Sequence, residues 1–220
     1  MGDRDYRHLA YMLDVITQLN PRHQSAYYMA ATVLPWISGA GQDSNRLTIR
    51  AMVNMPDKGQ WAYYLGLNQF MFRDNKRIAS HYLARAISQH FVNRMSVALA
   101  TKLRSAAGGL SAAHDMLKRS ISVTTDVRLK AYLGEQLKKV ETEVILRRLD
   151  DQLRRQNMDK HTITSVKQIR KMGLRWPDVL PDGGHVVMDK QGTLISSTSP
   201  LRFKLHVSTR VRALHQRGTP

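Results

Sequence analysis

The 220 residues are 42% hydrophobic and include no cysteine, so the chain can bury a core but cannot form disulfides, thiolate metal sites or a cysteine nucleophile. Lys and Arg number 34 against 17 Asp and Glu, and the resulting charge of +17 attracts nucleic acid, anionic lipid or acidic protein. No apolar run approaches the roughly 18 residues that span a bilayer, and no signal peptide precedes the first amphipathic segment, which leaves a membrane anchor upstream of residue 1 as an expectation.

The first half of the chain predicts a series of short helices. Residues 3–19 form the first, because their apolar side chains recur at steps of three and four and share one face: Tyr6, Leu9, Leu13, Ile16 and Leu19. Proline, glycine and the turn Arg73-Asp74-Asn75 then separate further predicted helices. We predict these over 22–37, about 43–55 with Asp43 or Ser44 as cap, 57–72, 76–90, 93–106 and 110–121, with a hinge at Gly108–Gly109.

A long helix follows, capped by Thr124 or Thr125 and ending near Asn157. We expect its buried ladder to comprise Leu129, Leu133, Leu137, Val140 and Val144, continuing through Ile145, Leu149 and Leu153. Acid-first pairs four residues apart predict that its other side faces solvent: Glu135–Lys139, Glu143–Arg147, Asp150–Arg154 and Asp151–Arg155.

The composition changes after Met158. A short helix is predicted over 162–172, and two strands over 185–188 and 193–196 are joined by a turn at 189–192. Residues 201–207 alternate apolar and basic side chains, which predicts a half-buried strand with Arg202 and Lys204 pointing outward. From Ser208 onward we expect a basic, flexible tail.

The helical region repeats every 34 to 35 residues. Pro21 aligns with Pro56, the aromatic Tyr28 aligns with Tyr63, and the small Ala31 aligns with Gly66. In the second helix of each copy, small residues recur at Ala51, Ala79, Ala86 and Ala113. A period of this size indicates stacked helical hairpins in which small residues allow close approach and neighbouring aromatics fill the space.

Residues 5–121 resemble the tetratricopeptide repeat family. Leu19-Asn20-Pro21 before Ala26-Tyr27, and Trp61 with Leu65-Gly66, carry the resemblance, followed by Ala79, Leu83, Ala86, Ala113 and Leu117. The spacing between Trp61 and Gly66 is one residue longer than the family's. The resemblance implies a right-handed superhelix of antiparallel hairpins, a terminal capping helix, and a concave groove that holds a peptide or partner helix.

A second and weaker resemblance covers residues 140–200. Trp176-Pro177, Leu180-Pro181 and Asp182-Gly183-Gly184, then Gly192 and Ser196-Ser197, are similar to the C-terminal part of bacterial pseudopilins. Pseudopilins can hold calcium in this loop. Asp182 and Asp189 alone supply too few oxygens for a calcium ion, so we predict no metal here.

The sequence shows no catalytic signature. No two histidines have the helical spacing, with a nearby carboxylate, of a zinc site, and the Asp150-Asp151 doublet is interpreted as part of a solvated helix face. The glycine-rich stretches 39–41 and 108–109 lack the lysine and preceding strand of a phosphate loop. We therefore predict a non-enzymatic protein without cofactor or metal.

The candidate binding residues are aromatic, amide and basic. Trp61 and Tyr64 are expected mainly to pack, with Tyr64 near a groove, and family resemblance implies that Asn68 contacts a bound peptide backbone. Basic candidates lie at a turn and in the C-terminal third: Arg73, Arg77, Lys171, Arg175, Arg202 and Lys204.

We accordingly expect a mainly α protein with helical repeats over 1–123, a linking helix over 124–158, a helix and β-hairpin module over 159–207, and a tail over 208–220. The predicted function is that of a scaffold binding a peptide or helix within a larger bacterial assembly, and the basic charge makes an acidic partner one candidate. An extracytoplasmic or membrane-associated location is slightly favoured. The alternative is binding of nucleic acid or an anionic surface by the basic C-terminal third, and the oligomeric state stays open.

Overall fold

A computed structural model describes residues 7–37, 40–89, 91, 94–156, 165–205, 207, 209 and 213. The chain divides into two compact units, one comprising Met1–Gly108 with Leu205–Pro220 and the other Gly109–Lys204. No helix in the described part is long and apolar enough to span a membrane.

The first unit is helical, as predicted. It contains α1 (Arg7–Leu19), α2 (Gln24–Thr32), a 3-10 turn (Leu34–Trp36), α3 (Gly41–Asn54), α4 (Gln60–Arg73), α5 (Lys76–Ser88) and the first half of α6 (Arg94–Val123). The helix predicted over 22–37 ends early at Thr32, because Pro35 has no N–H to continue it. Residues 3–6 of the first predicted helix, including Tyr6, lie outside the described residues. The remaining predicted ends lie within a few residues of those observed.

Side chains at the helix starts explain some of these boundaries. His23 accepts a hydrogen bond from the Ala26 N–H at the start of α2, and Asn75 accepts one from the Ile78 N–H at the start of α5. The predicted caps of α3 were wrong. Ala40 holds the cap position without a side-chain bond, while Asp43 lies inside the first turn and Ser44 is buried.

Close approach between α4 and α5 depends on a small residue. A Cβ on Gly66 would lie 2.8 Å from Leu83 Cγ and 3.1 Å from the Ala79 carbonyl oxygen. Ala79, Leu83 and Ala86 are fully buried, which confirms the predicted role of small residues in this hairpin. Around them the core contains Tyr27, Leu34, Leu47, Trp61 and Leu65.

Helices that are separated by one helix along the chain are also in contact: α1 contacts α3, and α2 contacts α4. The face of α1 that does so is only partly the predicted one: Leu13 and Thr17 are buried, while Ile16 and Leu19 are exposed. The Thr17 hydroxyl donates a hydrogen bond to the Leu13 carbonyl, 2.9 Å away, so the buried hydroxyl is not left without a partner.

A kink divides α6 at the boundary between the units. Gly109 has φ 79° and ψ 175°, a conformation that is open to glycine and strained for other residues. The hinge predicted at Gly108–Gly109 is therefore confirmed.

The second unit contains the rest of α6, then α7 (Val127–Arg155), α8 (Val166–Lys171), and strands β1 (Val186–Met188) and β2 (Leu194–Ser196). Asp126 caps α7 by accepting from the N–H groups of Arg128 and Leu129, so the predicted threonine caps were wrong. The two predicted strands are confirmed as an antiparallel pair with Val187 opposite Ile195. The part of the predicted short helix before Ser165 lies outside the described residues.

The core of this unit joins α7 to the hairpin. It is formed by Leu146, Leu149, Leu153, Ile169, Leu174, Leu180, Val186 and Leu194. Val144, a predicted member of the ladder, is instead exposed, and the polar Gln136, Thr142 and Glu143 of α7 are buried.

Residues 201–205 form no strand, and the predicted orientation is inverted at Leu201 and Arg202, while Lys204 is exposed as predicted. Leu201 is exposed, whereas the Arg202 side chain is buried against α7. The predicted tail lies almost entirely outside the described residues.

Candidate protein-binding ridge

Three contacts link α2 and its following turn to α4. The Tyr28 and Tyr64 rings meet edge to face at 5.6 Å, Asn68 Nδ2 donates to the Ala31 carbonyl at 2.9 Å, and Trp36 meets Phe72 edge to face at 5.0 Å. The partners in each contact are 36 or 37 residues apart in sequence. A nearly constant separation means that α2 and α4 run side by side in the same direction, as first helices of successive hairpins do.

We call Tyr28, Trp36, Tyr64 and Phe72 the aromatic ridge. Tyr28 and Trp36 are 51% and 52% exposed, and Tyr64 and Phe72 are half-buried beside them. The aromatics expected to fill the space beside the small residues were Tyr28, Trp61, Tyr63 and Tyr82. Trp61 and Tyr63 are buried as expected, whereas Tyr28 is exposed and its neighbour Tyr27 is buried against Trp61 instead. The ridge is therefore a row of aromatic surface held in place by buried neighbours.

The Tyr64 phenol is neutral at physiological pH. Partial burial, and then the neighbouring Tyr28, raise the pKa of Tyr64 above its ordinary value. Its ring also contacts Tyr63 edge to face at 5.5 Å, which fixes its position. A neutral, positioned phenol can both donate and accept a hydrogen bond toward a ligand.

Asn68 lies between the two aromatic pairs, one turn after Tyr64 and one turn before Phe72. Its amide nitrogen joins α4 to α2 through the Ala31 carbonyl, so the structure gives it a role in packing. The predicted contact between Asn68 and a peptide backbone remains a prediction. The structure does bring the predicted residues Tyr64 and Asn68 together on one face of α4.

Positive charge lies where α4 ends. Arg73 follows Phe72, and Arg77 lies in the first turn of α5; both are exposed and have no ion pair with the described residues. Lys76, between them in sequence, is paired with Asp74 at 2.8 Å. Two of the six predicted basic contacts therefore lie close in sequence to the ridge.

The remaining predicted residues belong to the second unit. Lys171 and Arg175 are exposed at and just after the end of α8. Nearby, Arg170 binds Asp178 at 2.6 Å and lies over the Trp176 ring at 4.8 Å. Lys204 is exposed, as expected of a binding residue.

Arg202 is a correction to the sequence analysis, because its side chain is only 9% exposed and its guanidinium is hydrogen-bonded. It donates to Glu143 Oε2 at 2.8 Å, to Asp150 Oδ2 at 2.8 Å and to the Leu194 carbonyl at 3.0 Å. Burial by itself would lower the pKa of Arg202, but hydrogen bonds from Nη and Nε to the two carboxylates raise it above its ordinary value. Arg202 anchors the segment after β2 to α7.

The solvated face predicted for Glu143 and Asp150 was also wrong. Glu143 is buried and accepts from Arg147 Nε at 2.9 Å and from the Phe203 N–H at 3.1 Å, besides Arg202. The sequence did contain a signal, since Glu143 and Asp150 fall on the same helical stripe as Leu146 and Leu153. Asp151, by contrast, is exposed as predicted.

Sequence reasoning missed Trp36 as a partner of Phe72. The signal was available, because this pair has the same 36-residue separation as Tyr28 and Tyr64. Within the described ranges, no three histidine or acidic side chains are grouped so that they could hold a metal ion.

Comparisons with known proteins give no relative. No protein-family model matches the chain, and neither a curated protein nor a solved structure is similar to it.

Proposed function

We propose that this chain is a non-catalytic helical-repeat scaffold, built of tetratricopeptide-like hairpins in a superhelix, that binds a protein segment on the aromatic ridge. The observation that carries the proposal is the exposure of Tyr28 and Trp36, each already held edge to face by a half-buried aromatic ring. Positioned aromatic side chains that can still lose water are the usual energetic centres of protein interfaces.

The chemistry of the ridge also defines its partner. An occupant needs apolar or aromatic side chains to cover Tyr28 and Trp36, and carboxylates to meet Arg73 and Arg77 at the far end of α4. The charge of +17 favours encounter with such an acidic partner. We place the interaction in a larger bacterial assembly.

The test is quantitative capture of partners from a native extract, followed by affinity measurement with the purified partner. The variant Tyr28→Ala/Trp36→Ala removes the exposed half of the ridge, and Tyr11→Ala is the matched control, since Tyr11 is an exposed tyrosine of α1 outside it. We expect the double variant to weaken binding about 30-fold or more, in the range of interface hot spots. Arg73→Gln/Arg77→Gln should weaken it as well and make it less dependent on salt.

Circular dichroism verifies that each variant is folded. Capture of no protein by the wild type, or equal capture by the wild type and the ridge variant, would refute the proposal. A loss that Tyr11→Ala shares would show that the effect is not specific to the ridge.

The alternative function, binding of nucleic acid or an anionic surface by the C-terminal third, draws less support from the described residues. Arg202 is neutralised by Glu143 and Asp150, and Arg170 is engaged with Asp178 and Trp176. Exposed Lys167, Lys171, Arg175 and Lys204 keep it open. Fluorescence anisotropy with labelled RNA and DNA at low salt tests this alternative. Binding through phosphate contacts would give an affinity that falls steeply as the salt concentration rises, whereas no change in anisotropy would exclude it.

A further inference from the structure

A second groove, separate from the ridge, lies within the second unit. It has a volume of about 880 Å³ and runs between the start of the second half of α6 and one face of α7. Leu110 on α6 and Val144 and Ile145 on α7 supply apolar surface, and Val144 is 45% exposed. The floor of this α6–α7 groove is therefore apolar surface that the described chain leaves in contact with water.

Most charges at the groove have partners inside the unit. Arg147 is bound to Glu143 at 2.9 Å, Glu141 lies 3.5 Å from His114, and Asp151 lies 3.9 Å from Arg154. Each arginine–carboxylate pair is locally neutral, and Glu141 lies beside His114, so none of these groups calls for an external ligand.

Two arginines at the groove differ from these. Arg148 and Arg155 also line it, and neither has an ion-pair partner in the part of the chain that is described. They are seven residues apart on α7, which places them two turns apart on the same face, at a rise of about 10.5 Å. The groove thus has a positive charge at two points along its length, with apolar surface beside them.

An unsatisfied acceptor lies between the two arginines. Gln152, one turn after Arg148 and just before Arg155, lines the groove, and its Oε1 is buried with no hydrogen-bond partner among the described atoms. A buried amide oxygen without a donor costs free energy, and rotation of the Gln152 side chain toward the groove would let a donor on an occupant recover it.

We propose that the α6–α7 groove binds an amphipathic helix of a partner protein that carries two acidic residues seven positions apart. The spacing of the acids would match that of Arg148 and Arg155, since both follow the same helical rise. Apolar residues between the acids would cover Val144 and Ile145, and a polar donor beside them would satisfy Gln152. This is the helix-in-groove mode of recognition, with charge setting the register.

An anionic amphiphile fits the observations less well. A fatty acid or a simple phospholipid presents its charge at one end, so it would neutralise one of the two arginines and leave the other unpaired. Two arginines that lie two helical turns apart favour an elongated occupant with two negative charges along its length, such as a helix.

The proposal does not depend on the ridge, because the two surfaces lie in different units and their variants can be tested separately. The probe is a synthetic stapled helix with two glutamates seven positions apart, leucines between them and a glutamine on the same face. A second helix has lysine in place of both glutamates. Fluorescence anisotropy with the full chain measures the affinity for each.

The informative variant is Arg148→Glu/Arg155→Glu, which reverses both charges at exposed positions of α7. Lys138→Glu/Lys139→Glu is the matched control, because it makes the same change of charge at exposed positions of α7 outside the groove. We expect the wild type and the control to bind the glutamate helix at least about tenfold more tightly than the lysine helix. The groove variant should reverse that preference.

Restored binding between the reversed protein and the reversed helix would support the proposal even if the groove variant were less stable, because only folded protein can show a gain. No binding of the glutamate helix to the wild type would overturn it, as would equal behaviour of the groove variant and the control. A titration with dodecanoate tests the anionic amphiphile. If dodecanoate bound in a manner that depends on Arg148 or Arg155 and the helix did not bind, the groove would be assigned to an anionic amphiphile and the proposal would be overturned.

Discussion

Replacement of Arg202 by methionine tests the largest correction that the structure makes to the sequence analysis. Methionine keeps the length and apolar stem of the side chain but removes the guanidinium that binds Glu143 and Asp150. Glu143 would then be a buried carboxylate with fewer partners. Removal of one member of a buried ion pair is much more destabilising than removal of the pair, since it leaves a charge without compensation.

The contacts of Glu143 set the expected size of the effect. Breaking a buried ion pair costs about 3–5 kcal/mol. Glu143 keeps the Arg147 Nε at 2.9 Å and the Phe203 N–H at 3.1 Å, so the lower limit of about 3 kcal/mol applies. With a urea dependence of about 1–3 kcal/mol per molar, the unfolding midpoint of the second unit should fall by about 1–3 M.

Urea unfolding followed by circular dichroism measures the midpoint, and amide hydrogen exchange should show faster exchange in β2 and in residues 201–204. Lys204→Met is the matched control, because Lys204 is an exposed cation in the same segment. The triple variant Glu143→Gln/Asp150→Asn/Arg202→Met removes the charges together and should recover most of the lost stability.

Two results would contradict this reasoning. If Arg202→Met destabilised no more than Lys204→Met, the guanidinium would not hold the segment on α7. If the triple variant were as unstable as the single one, the cost would come from lost packing or hydrogen bonds and not from an uncompensated charge.

Two further predictions concern a glycine pair and an acid. Gly66→Ala should destabilise the protein by about 1–2 kcal/mol, since the added methyl group would lie 2.8 Å from Leu83 Cγ. Gly134→Ala, whose methyl group would have no atom within 4 Å, should stabilise it by up to about 1 kcal/mol. Melting temperatures that shift in the same direction for both variants would refute the close approach of α4 and α5. Burial alone would raise the pKa of Asp182, but hydrogen bonds from Ser196, the Gly184 N–H and other donors lower it. The ionised Asp182 carboxylate therefore contributes fully to the free energy of unfolding above about pH 4, and this contribution is lost as the pH falls through the pKa of Asp182 in the folded state. Asp182→Asn should therefore lower the melting temperature at pH 7, with a difference from wild type that shrinks on acidification; a difference that is the same at all pH values would contradict this.

The sequence predicted helices and turns well because those signals are local. Proline and glycine act on the chain near their own positions, and Gly109 with its positive φ needed no tertiary information to be recognised as a hinge. The exception within the repeats is instructive, since Pro35 ended α2 earlier than the apolar pattern suggested.

Burial of charge could not be predicted in the same way. Alternation in residues 201–207 shows that two faces exist, but it does not show which face is inside. Hydrophobicity normally decides that question, and here it gave the wrong answer because Glu143 and Asp150 on α7 compensate the charge of Arg202. The acids and the arginine are more than fifty residues apart, so no local pattern connects them.

The ridge shows why a sequence period locates contacts between helices only approximately. Aligning the copies places Tyr28 over Tyr63, yet Tyr28 contacts Tyr64, and Trp36 contacts Phe72 at the same separation. Equivalent residues of two parallel helices point in the same direction, and so they cannot face each other. One further residue turns the side chain by about 100° around the helix axis, toward the neighbouring helix. The period of the sequence therefore identifies equivalent positions in successive copies. Contacts between copies occur at a sequence separation one or two residues longer than the period, and surfaces formed between copies should be sought at that longer separation.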